Sequence, residues 1–418
     1  MSPKPKRRKP WAVLAYTVAD DKSDGDSLDS AACEELKALC IAADFDRTVV
    51  AAQIDFKRAK GVFRGVLSEG PLKFSGSGSF EEIPAKAHRL WREIKAGVKH
   101  SRLSVLEDKT DLNAARASVL KNFLRFGEEQ CPADRYVLFF YGHGYGPLGI
   151  FFDEDADETD RDTMALGGLA DALETAGRRA AVIVFRACMA NTLETAYQLK
   201  NAASCMIASQ SLVPIAGIWP WANFLATLMP SAASHDVAAS IARQLGFFLE
   251  TPKNRDPFGD VPYSLIDLGA AKEIAKPLKA LARALESARD DKRRARACIR
   301  ALEGARVGFP ADHAQPGDPA LLDVPTMCEN LAKIEGDPAA GPAKALGRIV
   351  GQRLVKWHHS QNGLHRGIAL YYKPVRPENV DRSHIYDKDL APRDDRRYRE
   401  LALSKATGWD RLALNPLR

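Results

Sequence analysis

The sequence predicts an α/β fold, a three-layer sandwich in which helices cover both faces of a mostly parallel sheet. Two apolar runs carry this prediction, Tyr136–Tyr141 and Ala180–Phe185, and both are rich in β-branched and aromatic residues. Short, continuous apolar runs of this kind are typical of strands buried on both faces of a parallel sheet. A helix-like segment, Leu166–Ala176, separates them, which gives the strand–helix–strand order of a parallel crossover.

The remaining elements follow the same rhythm up to about residue 230. Further strands are predicted at 11–18, 47–55 and 204–209, one or two hairpins at 57–80, and helices at 28–43, 82–99, 112–126 and 192–201. Beyond residue 230 the pattern becomes mainly helical. Helices are predicted at 232–249, 270–303 and 321–334, strands at 264–268 and 367–372, and a flexible link at 308–319.

Composition excludes several classes of protein. The net charge of the 418 residues is +6, but five basic residues within the first nine leave the rest near +1, which is no nucleic-acid footprint. No apolar run approaches the roughly 20 residues that a membrane helix needs. Trp11–Ala19 is short and is interpreted as a first strand, not a signal peptide. Seven widely spaced cysteines, an odd number, indicate a reducing compartment, so we expect a cytoplasmic protein.

A reactive side chain follows each of the two strongest strands. His143 comes directly after the first apolar run, and Cys188 comes shortly after the second. Sites in parallel sheets form at the carboxyl ends of the strands, so these two side chains are expected to meet. A cysteine and a histidine brought together supply a nucleophile and a proton carrier.

Around these residues the sequence resembles the clostripain-like cysteine peptidases, relatives of the caspases. The segments that carry the resemblance are Tyr141–Gly144, Ala187–Met189, Glu194–Leu199, Ala208–Pro214 and Gly217–Pro220, with weaker similarity over 11–55 and 367–372. The spacing of 45 residues between histidine and cysteine and the Ala187–Cys188 pair also fit the caspase pattern, whereas Arg186 and Met189 do not.

The resemblance implies a cysteine endopeptidase of caspase-like fold that acts on protein or peptide substrates without a required cofactor. Cys188 would be the nucleophile and His143 the proton carrier. The backbone N–H of Gly144, with that of Cys188, would stabilise the oxyanion. The alternative is that Cys188 is a buried small hydrophobe and His143 an ordinary turn residue, in a catalytically silent binding or regulatory module.

Arg186 departs from the family, which usually has an aspartate at this position and cleaves after Arg or Lys. A cation there would attract a substrate carboxylate, so we expect a preference for an acidic residue before the scissile bond. In one alternative, Arg186 pairs with an internal acid. In another, Asp20 or Asp21 retains the preference for Arg and Lys. The further candidate substrate-binding residues are Ser209, Gln210, Ser211 and Trp219.

The acidic loop Asp153–Met164 lies between the histidine and the cysteine strands, where related enzymes are cut, so we expect self-processing of a zymogen there. It does not fit a calcium loop, because Glu158 stands at position six and Met164 at position twelve. Calcium enters only through the resemblance, since clostripain itself uses it. We predict no metal site at His358, His359 and His365, which are interpreted as loop histidines.

The sequence therefore predicts three regions. Residues 1–10 form a basic disordered tail, 11–230 a caspase-like catalytic domain, and 231–418 a mainly helical C-terminal portion packed on it. An intracellular protease has to be restrained, so a regulatory partner protein is a further hypothesis.

Overall fold

The computed structural model describes most of the chain. The described residues are 8–19, 27–42, 47–56, 61–67, 103–105, 109–110, 113–153, 162–175, 177, 179–214, 219–251, 260–307, 321–373 and 391–417. The predicted helix at 82–99 and the link at 308–319 lie outside these residues, as do Asp20, Asp21 and most of the acidic loop.

A ten-stranded sheet organises the described residues. Its order is β14-β11-β10-β9-β6-β1-β2-β3-β4, and β5 also pairs with β3. The five central strands β2, β1, β6, β9 and β10 are parallel, and the outer strands on both sides are antiparallel. The strands of this sheet are β1 Lys9–Val18, β2 Thr48–Phe56, β3 Gly61–Leu67, β4 Leu103–Val105, β5 Lys109–Thr110, β6 Ala133–Tyr141, β9 Ala180–Arg186, β10 Ala203–Ser209, β11 Tyr263–Asp267 and β14 Val355–His359.

Five shorter strands lie outside this sheet. A hairpin joins β7 to β8, and a small antiparallel sheet has the order β12-β13-β15. These strands are β7 Ile150–Asp153, β8 Asp162–Met164, β12 Arg306–Val307, β13 Leu321–Asp323 and β15 Ala369–Tyr371. The pairing of β7 with β8 was not predicted from the sequence.

Helices cover both faces of the sheet, as predicted for a three-layer sandwich. One face carries α1 Ser27–Ala42, α5 Trp221–Ala226 and α6 Ser234–Glu250. The opposite face carries α2 Ala117–Gln130, α3 Leu166–Thr175, α4 Leu193–Gln198, α7 Ala275–Glu286, α8 Lys292–Glu303, α9 Val324–Ala332, α10 Ala340–Ile349, α11 Ala391–Glu400, α12 Ala402–Thr407 and α13 Asp410–Ala413. Two separate apolar cores result, one between each helical layer and the sheet.

The central strands are buried because their side chains are apolar on both faces. Every residue of β9 is buried, and so are the last six residues of β6. Alternate side chains of β6 therefore enter different cores. Phe140 packs against the ring of Phe151 on one side, and Phe139 packs against Trp221 on the other. This two-sided burial is what the continuous apolar runs predicted.

The C-terminal portion does more than pack on the catalytic domain. It contributes β11 and β14, which extend the ten-stranded sheet at one edge. The sheet therefore runs across the predicted boundary at residue 230. At the other end of the chain, β1 begins at Lys9, inside the predicted tail; residues 1–7 of that tail lie outside the described part of the chain.

The predicted long helix at 270–303 is interrupted. A 3₁₀ segment at Leu268–Ile274 precedes α7, and a second one at Ser287–Asp290 separates α7 from α8. Asp291 starts α8 because its side chain accepts hydrogen bonds from the amides of Arg293 and Arg294. Within the described residues, no helix is long and apolar enough to cross a membrane.

Candidate active site

The register of β6 and β9 brings the two predicted catalytic residues to one edge of the sheet. Tyr141 lies directly opposite Arg186 in this parallel pair, and the amide of Gly142 donates to the Arg186 carbonyl at 3.3 Å. His143 and Cys188 each follow two residues later, so both leave the carboxyl ends of adjacent strands at the same level. His143 and Cys188 are both partly exposed.

The two loops also touch through their backbones at Gly144. A Cβ atom built on Gly144 would lie 2.0 Å from the carbonyl oxygen of Cys188 and 2.9 Å from its amide nitrogen. The antiparallel bridge between Gly144 and Ile150 makes its hydrogen bonds through His143 and Tyr145. The Gly144 amide is therefore not used by this bridge, and it lies beside the backbone of Cys188.

Among the described residues, two non-glycine residues have positive φ angles, and both adjoin this site. Met189, with φ 53°, directly follows Cys188, and Phe151, with φ 60°, donates its amide to the carbonyl of His143. A non-glycine residue in this conformation is strained, and such strain clusters at functional sites. The packing of the surrounding chain therefore fixes the position of both loops.

The segment after β10 runs alongside the Cys188 loop and holds it. The amide of Met189 donates to Ser211, and the amide of Asn191 donates to Ser209, both at 2.9 Å. The amide of Val213 donates to Cys188 Sγ at 3.3 Å. The Cys188 thiol also donates to the Val213 carbonyl oxygen at 3.9 Å. The amide contact favours the thiolate, which is the reactive form of a cysteine, whereas the longer carbonyl contact favours the thiol.

The C-terminal portion braces the helix that follows the cysteine. The buried Glu194 of α4 accepts hydrogen bonds through Oε1 from the amide of Tyr371 and the hydroxyl of Tyr398. Burial raises the pKa of Glu194 from its ordinary value, although these hydrogen bonds oppose the shift. Asn191 adds a further link, because its side-chain amide donates to the Gly367 carbonyl at 2.7 Å.

Arg186 is buried and pairs with Glu35 of α1, so it does not present an uncompensated cation to a substrate. Its Nη1 donates to Glu35 Oε1, and its guanidinium lies over the rings of Tyr141 and Trp219, 4.6 Å and 5.5 Å from their centroids. Burial alone would lower the pKa of Arg186, but the Glu35 carboxylate raises it. The alternative in which Arg186 pairs with an internal acid is the one observed, and the acid is Glu35. The preference for an acidic residue before the scissile bond stays a prediction.

Glu35 was not predicted as a functional residue, although the sequence contained a signal for it. It lies on the face of α1 that also carries Leu28, Ala32, Leu36 and Leu39, all buried. A single carboxylate on an otherwise apolar helix face indicates a buried partner for its charge. The sequence did not identify that partner.

Three of the four other predicted substrate-binding residues make hydrogen bonds to other parts of the protein. Gln210 is 2% exposed, and its amide group bridges Asp323 and the amide of Gly367. The Ser209 hydroxyl donates to the carbonyl of Ser211 and accepts from its amide, which forms a tight turn. The side chains of Gln210 and Ser209 therefore hold the protein's own backbone and Asp323, and a direct role of these residues in substrate binding stays a prediction. The backbone of Ser211 likewise holds the cysteine loop.

Trp219 differs from these three residues. Its ring packs against Phe139 and Tyr263 and is mostly buried, while its amide donates to Glu35 Oε1 at 2.9 Å. It nevertheless lines a small pocket between α1 and the sheet, together with Arg186 and Tyr141. Its role in substrate binding stays a prediction.

Comparison with known proteins agrees with this geometry. The statistical model of the clostripain family, peptidase family C11, matches residues 96–304, which contain both His143 and Cys188. The match spans half of the chain. The chain belongs to the clostripain family. It is therefore a cysteine endopeptidase, and the fold class predicted from the sequence is confirmed.

Solved structures of the clostripain family have the same fold over nearly the whole chain. A secreted C11 cysteine protease of Bacteroides thetaiotaomicron, in complex with an irreversible peptide inhibitor, has a TM-score of 0.62 at 16% identity. An inactive zymogen C11 protease of Parabacteroides distasonis has a TM-score of 0.62 at 18% identity. Each alignment covers 96% of this chain and 99% of the other. No curated protein matches the chain.

Among the described residues, no group of three or more His, Cys, Asp or Glu side chains is placed to hold a metal ion. His358 and His359 lie in β14, not in a loop as predicted. His365 is buried, and its Nδ1 lies 3.1 Å from Asp260 Oδ2. Hydrogen bonds hold the pKa of Asp260 below its ordinary value, although burial opposes the shift.

Proposed function

We propose that this clostripain-family endopeptidase acts through a catalytic dyad of Cys188 and His143. The observation that carries the proposal is the pairing of Tyr141 with Arg186, which places His143 and Cys188 at the same level on adjacent strands. The close approach of Gly144 to the Cys188 backbone supports it, because the histidine and cysteine loops then share one surface.

The chemistry follows the acyl-enzyme route of cysteine peptidases. The Cys188 thiolate attacks the scissile carbonyl carbon, and the amides of Gly144 and Cys188 donate to the developing oxyanion. His143, which has taken the proton of the Cys188 thiol, delivers it to the leaving amine, and a water molecule then releases the acyl group with His143 as the base. The Val213 amide, which donates to Cys188 Sγ, favours the thiolate before attack. This route requires no cofactor.

We also propose that the enzyme cuts itself in the loop between Asp153 and Met164. The strands on either side of this loop form the β7–β8 hairpin, which begins immediately after the His143 loop. Residues 154–161, at the tip of the hairpin, lie outside the described part of the chain. The supporting observation is that the tip connects two anchored strands and is itself almost entirely charged in sequence.

Single substitutions test the dyad. Cys188→Ala and His143→Ala should each abolish hydrolysis of a mixed library of fluorogenic peptides. Thermal unfolding should stay near that of the wild type, since both side chains are partly exposed. His235→Ala is the matched control, because His235 is an exposed histidine on α6. Full activity in either dyad variant would remove the assignment, and the chain would then use another nucleophile or bind peptides without cutting them.

A further inference from the structure

The buried pair of Arg186 and Glu35 also binds the backbone of the segment that follows β10. Arg186 Nη2 donates to the carbonyl of Pro214 at 3.4 Å. Glu35 Oε1 accepts from the amide of Trp219 at 2.9 Å. Residues 215–218, between these two contacts, lie outside the described part of the chain. The pair therefore holds the chain on both sides of this short link.

The carboxylate of Glu35 is the centre of this arrangement. Oε1 accepts from Arg186 Nη1 and from the Trp219 amide, and Oε2 accepts from Trp221 Nε1 at the start of α5. Arg186 and Glu35 are 5% and 6% exposed, so water competes little for these contacts. Hydrogen bonds to a charged group are stronger than those between neutral groups. One carboxylate therefore ties α1 to the end of β9 and to the start of α5.

The segment held in this way contacts the proposed nucleophile. Val213 directly precedes Pro214, and its amide donates to Cys188 Sγ at 3.3 Å. The Val213 carbonyl oxygen is a competing partner of the sulfur, at 3.9 Å. Because the amide favours the thiolate and the carbonyl favours the thiol, a small shift of Val213 changes the balance between the two forms of Cys188.

We infer that Arg186 and Glu35 are positioning residues, which hold Val213 so that its amide lies closer to Cys188 Sγ than its carbonyl does. The inference rests on the proposed function, because it concerns the sulfur that attacks the substrate. It differs from a purely electrostatic role of the pair. By charge alone, Arg186 would favour the thiolate and Glu35 would disfavour it. The two roles therefore predict opposite effects for the loss of the Glu35 charge.

Other titratable groups near Cys188 do not account for the expected effect. Burial raises the pKa of Tyr141 to about 12 and raises that of Tyr263 as well, so both hydroxyls stay neutral throughout the pH range used below. His143, on the adjacent loop, is present in every variant compared. The difference between variants therefore reports on the ion pair.

The pH dependence of Cys188 labelling by iodoacetamide tests the inference, because the thiolate is the form that reacts. Mass spectrometry of the Cys188 peptide, after short exposures at pH values from about 5 to 10, gives the pH midpoint of labelling. Glu35→Gln replaces one carboxylate oxygen with an amide nitrogen, so one of the three N–H groups around it then faces a donor.

For Glu35→Gln we expect the labelling midpoint to rise by about one pH unit. Labelling below the midpoint then slows about ten-fold, which is equivalent to about 1.4 kcal/mol. An unchanged or lower midpoint overturns the inference, because a lower midpoint is what the loss of a neighbouring negative charge alone produces.

Arg186→Lys keeps the positive charge but removes the second nitrogen, which donates to Pro214. The labelling midpoint should rise here as well, although the charge near Cys188 is the same. Arg294→Lys is the matched control, because Arg294 also pairs with a buried carboxylate, Asp337, and donates to a backbone carbonyl. It should lower the thermal midpoint and leave the labelling midpoint unchanged. An equal shift of labelling in the control would make general loss of stability the cause and would overturn the inference.

Labelling requires no hydrolysis, so it separates this inference from the proposed function. A wild-type Cys188 that labels as slowly as the buried Cys205 would count against the catalytic proposal. A reactive Cys188 with the same labelling midpoint in the wild type, Glu35→Gln and Arg186→Lys would overturn the positioning role alone. Circular dichroism checks that each variant is folded, and Arg186→Lys decides the question by itself if Glu35→Gln does not fold.

Discussion

Gly144 approaches the backbone of Cys188 so closely that no side chain fits between them. A Cβ atom at residue 144 would lie 2.0 Å from the Cys188 carbonyl oxygen, and the atom it would meet belongs to the backbone. Gly144→Ala must therefore push the histidine loop away from the cysteine loop. We predict that kcat falls by roughly a hundred-fold, the cost that a displacement of about 1 Å can have in an active site.

A glycine in open space provides the control for this prediction. Gly341→Ala on α10 adds a Cβ atom that meets nothing within 4 Å. It should leave kcat unchanged and leave stability equal or slightly higher, because alanine is the better helix former. If Gly144→Ala had the same kcat as Gly341→Ala, the close approach of the two loops would have no role in catalysis.

The cysteines should differ sharply in their reactivity. Burial raises the pKa of Cys205 and of Cys328 to about 12 and that of Cys298 to about 11, whereas Cys188 is partly exposed and accepts a hydrogen bond from the Val213 amide. An ordinary cysteine has a pKa of about 8.5, so a thiol near 12 holds roughly a thousand-fold less thiolate at neutral pH.

We therefore predict that iodoacetamide labels Cys188 far faster than these three cysteines. Mass spectrometry of tryptic peptides after short exposure at pH 7 measures the order of labelling. The Cys188→Ala variant shows the background rate of the remaining thiols. Labelling of Cys188 at the rate of Cys205 would contradict its role as the nucleophile.

Local sequence patterns were enough to predict the central strands and the edge of the sheet that His143 and Cys188 share. The runs ending at Tyr141 and Phe185 are apolar throughout, and a continuous apolar run has few structural alternatives in a chain of this length. The positions of His143 and Cys188 could be predicted from those two strands alone. Because the strands are adjacent and parallel, their reactive residues emerge together.

Partners that lie far apart in the chain could not be predicted from the sequence. Glu35 is 151 residues from Arg186, and Asp323 is 113 residues from Gln210. No periodicity links such pairs, since the contact exists only after the layers have packed. Asp291, in contrast, is a local signal for the helix start that divides the segment 270–303, and it could have been recognised.

The buried Glu194 should make stability depend on pH in a defined direction. Its pKa is raised in the folded state, so the folded protein keeps a proton that the unfolded chain releases near the ordinary value of about 4.3. Stability must then fall as the pH rises from that value through the raised pKa. Glu194→Gln cannot ionise. We therefore predict that the thermal midpoint of this variant rises relative to that of the wild type as the pH increases across this window.

Glu329→Gln provides a control of opposite sign. The hydrogen bond from Arg366 lowers the pKa of Glu329. The small contribution of Glu329 to stability is therefore present above its ordinary pKa and is lost as the pH falls through the lowered pKa. This exposed pair should contribute little. Thermal midpoints measured from pH 4 to pH 8 compare both variants with the wild type. A constant difference between Glu194→Gln and wild type would show that Glu194 is not protonated preferentially in the folded state.

Self-processing should leave two fragments that stay together. A cut in the loop 154–161 separates β6 from β9 in the chain, but these strands pair along five residues of one buried sheet. The hairpin is also anchored on both sides, since Phe151 is fully buried and Arg397 of α11 donates to Thr163 at 2.9 Å. We predict that the active enzyme elutes as one species in gel filtration and as two bands under denaturing conditions.

The position of the cut reports on the specificity of the enzyme. Cleavage after an acidic residue of the loop would mean that Arg186 selects carboxylates despite Glu35, and cleavage after Arg161 would mean a basic preference. Cleavage after Ala156 or Thr159 would mean a preference for an uncharged residue. N-terminal sequencing of the C-terminal fragment distinguishes these outcomes, and Cys188→Ala should remain a single chain if the enzyme makes the cut itself. An active enzyme that stays intact would contradict self-processing, and its activity would then have to be controlled by a partner protein.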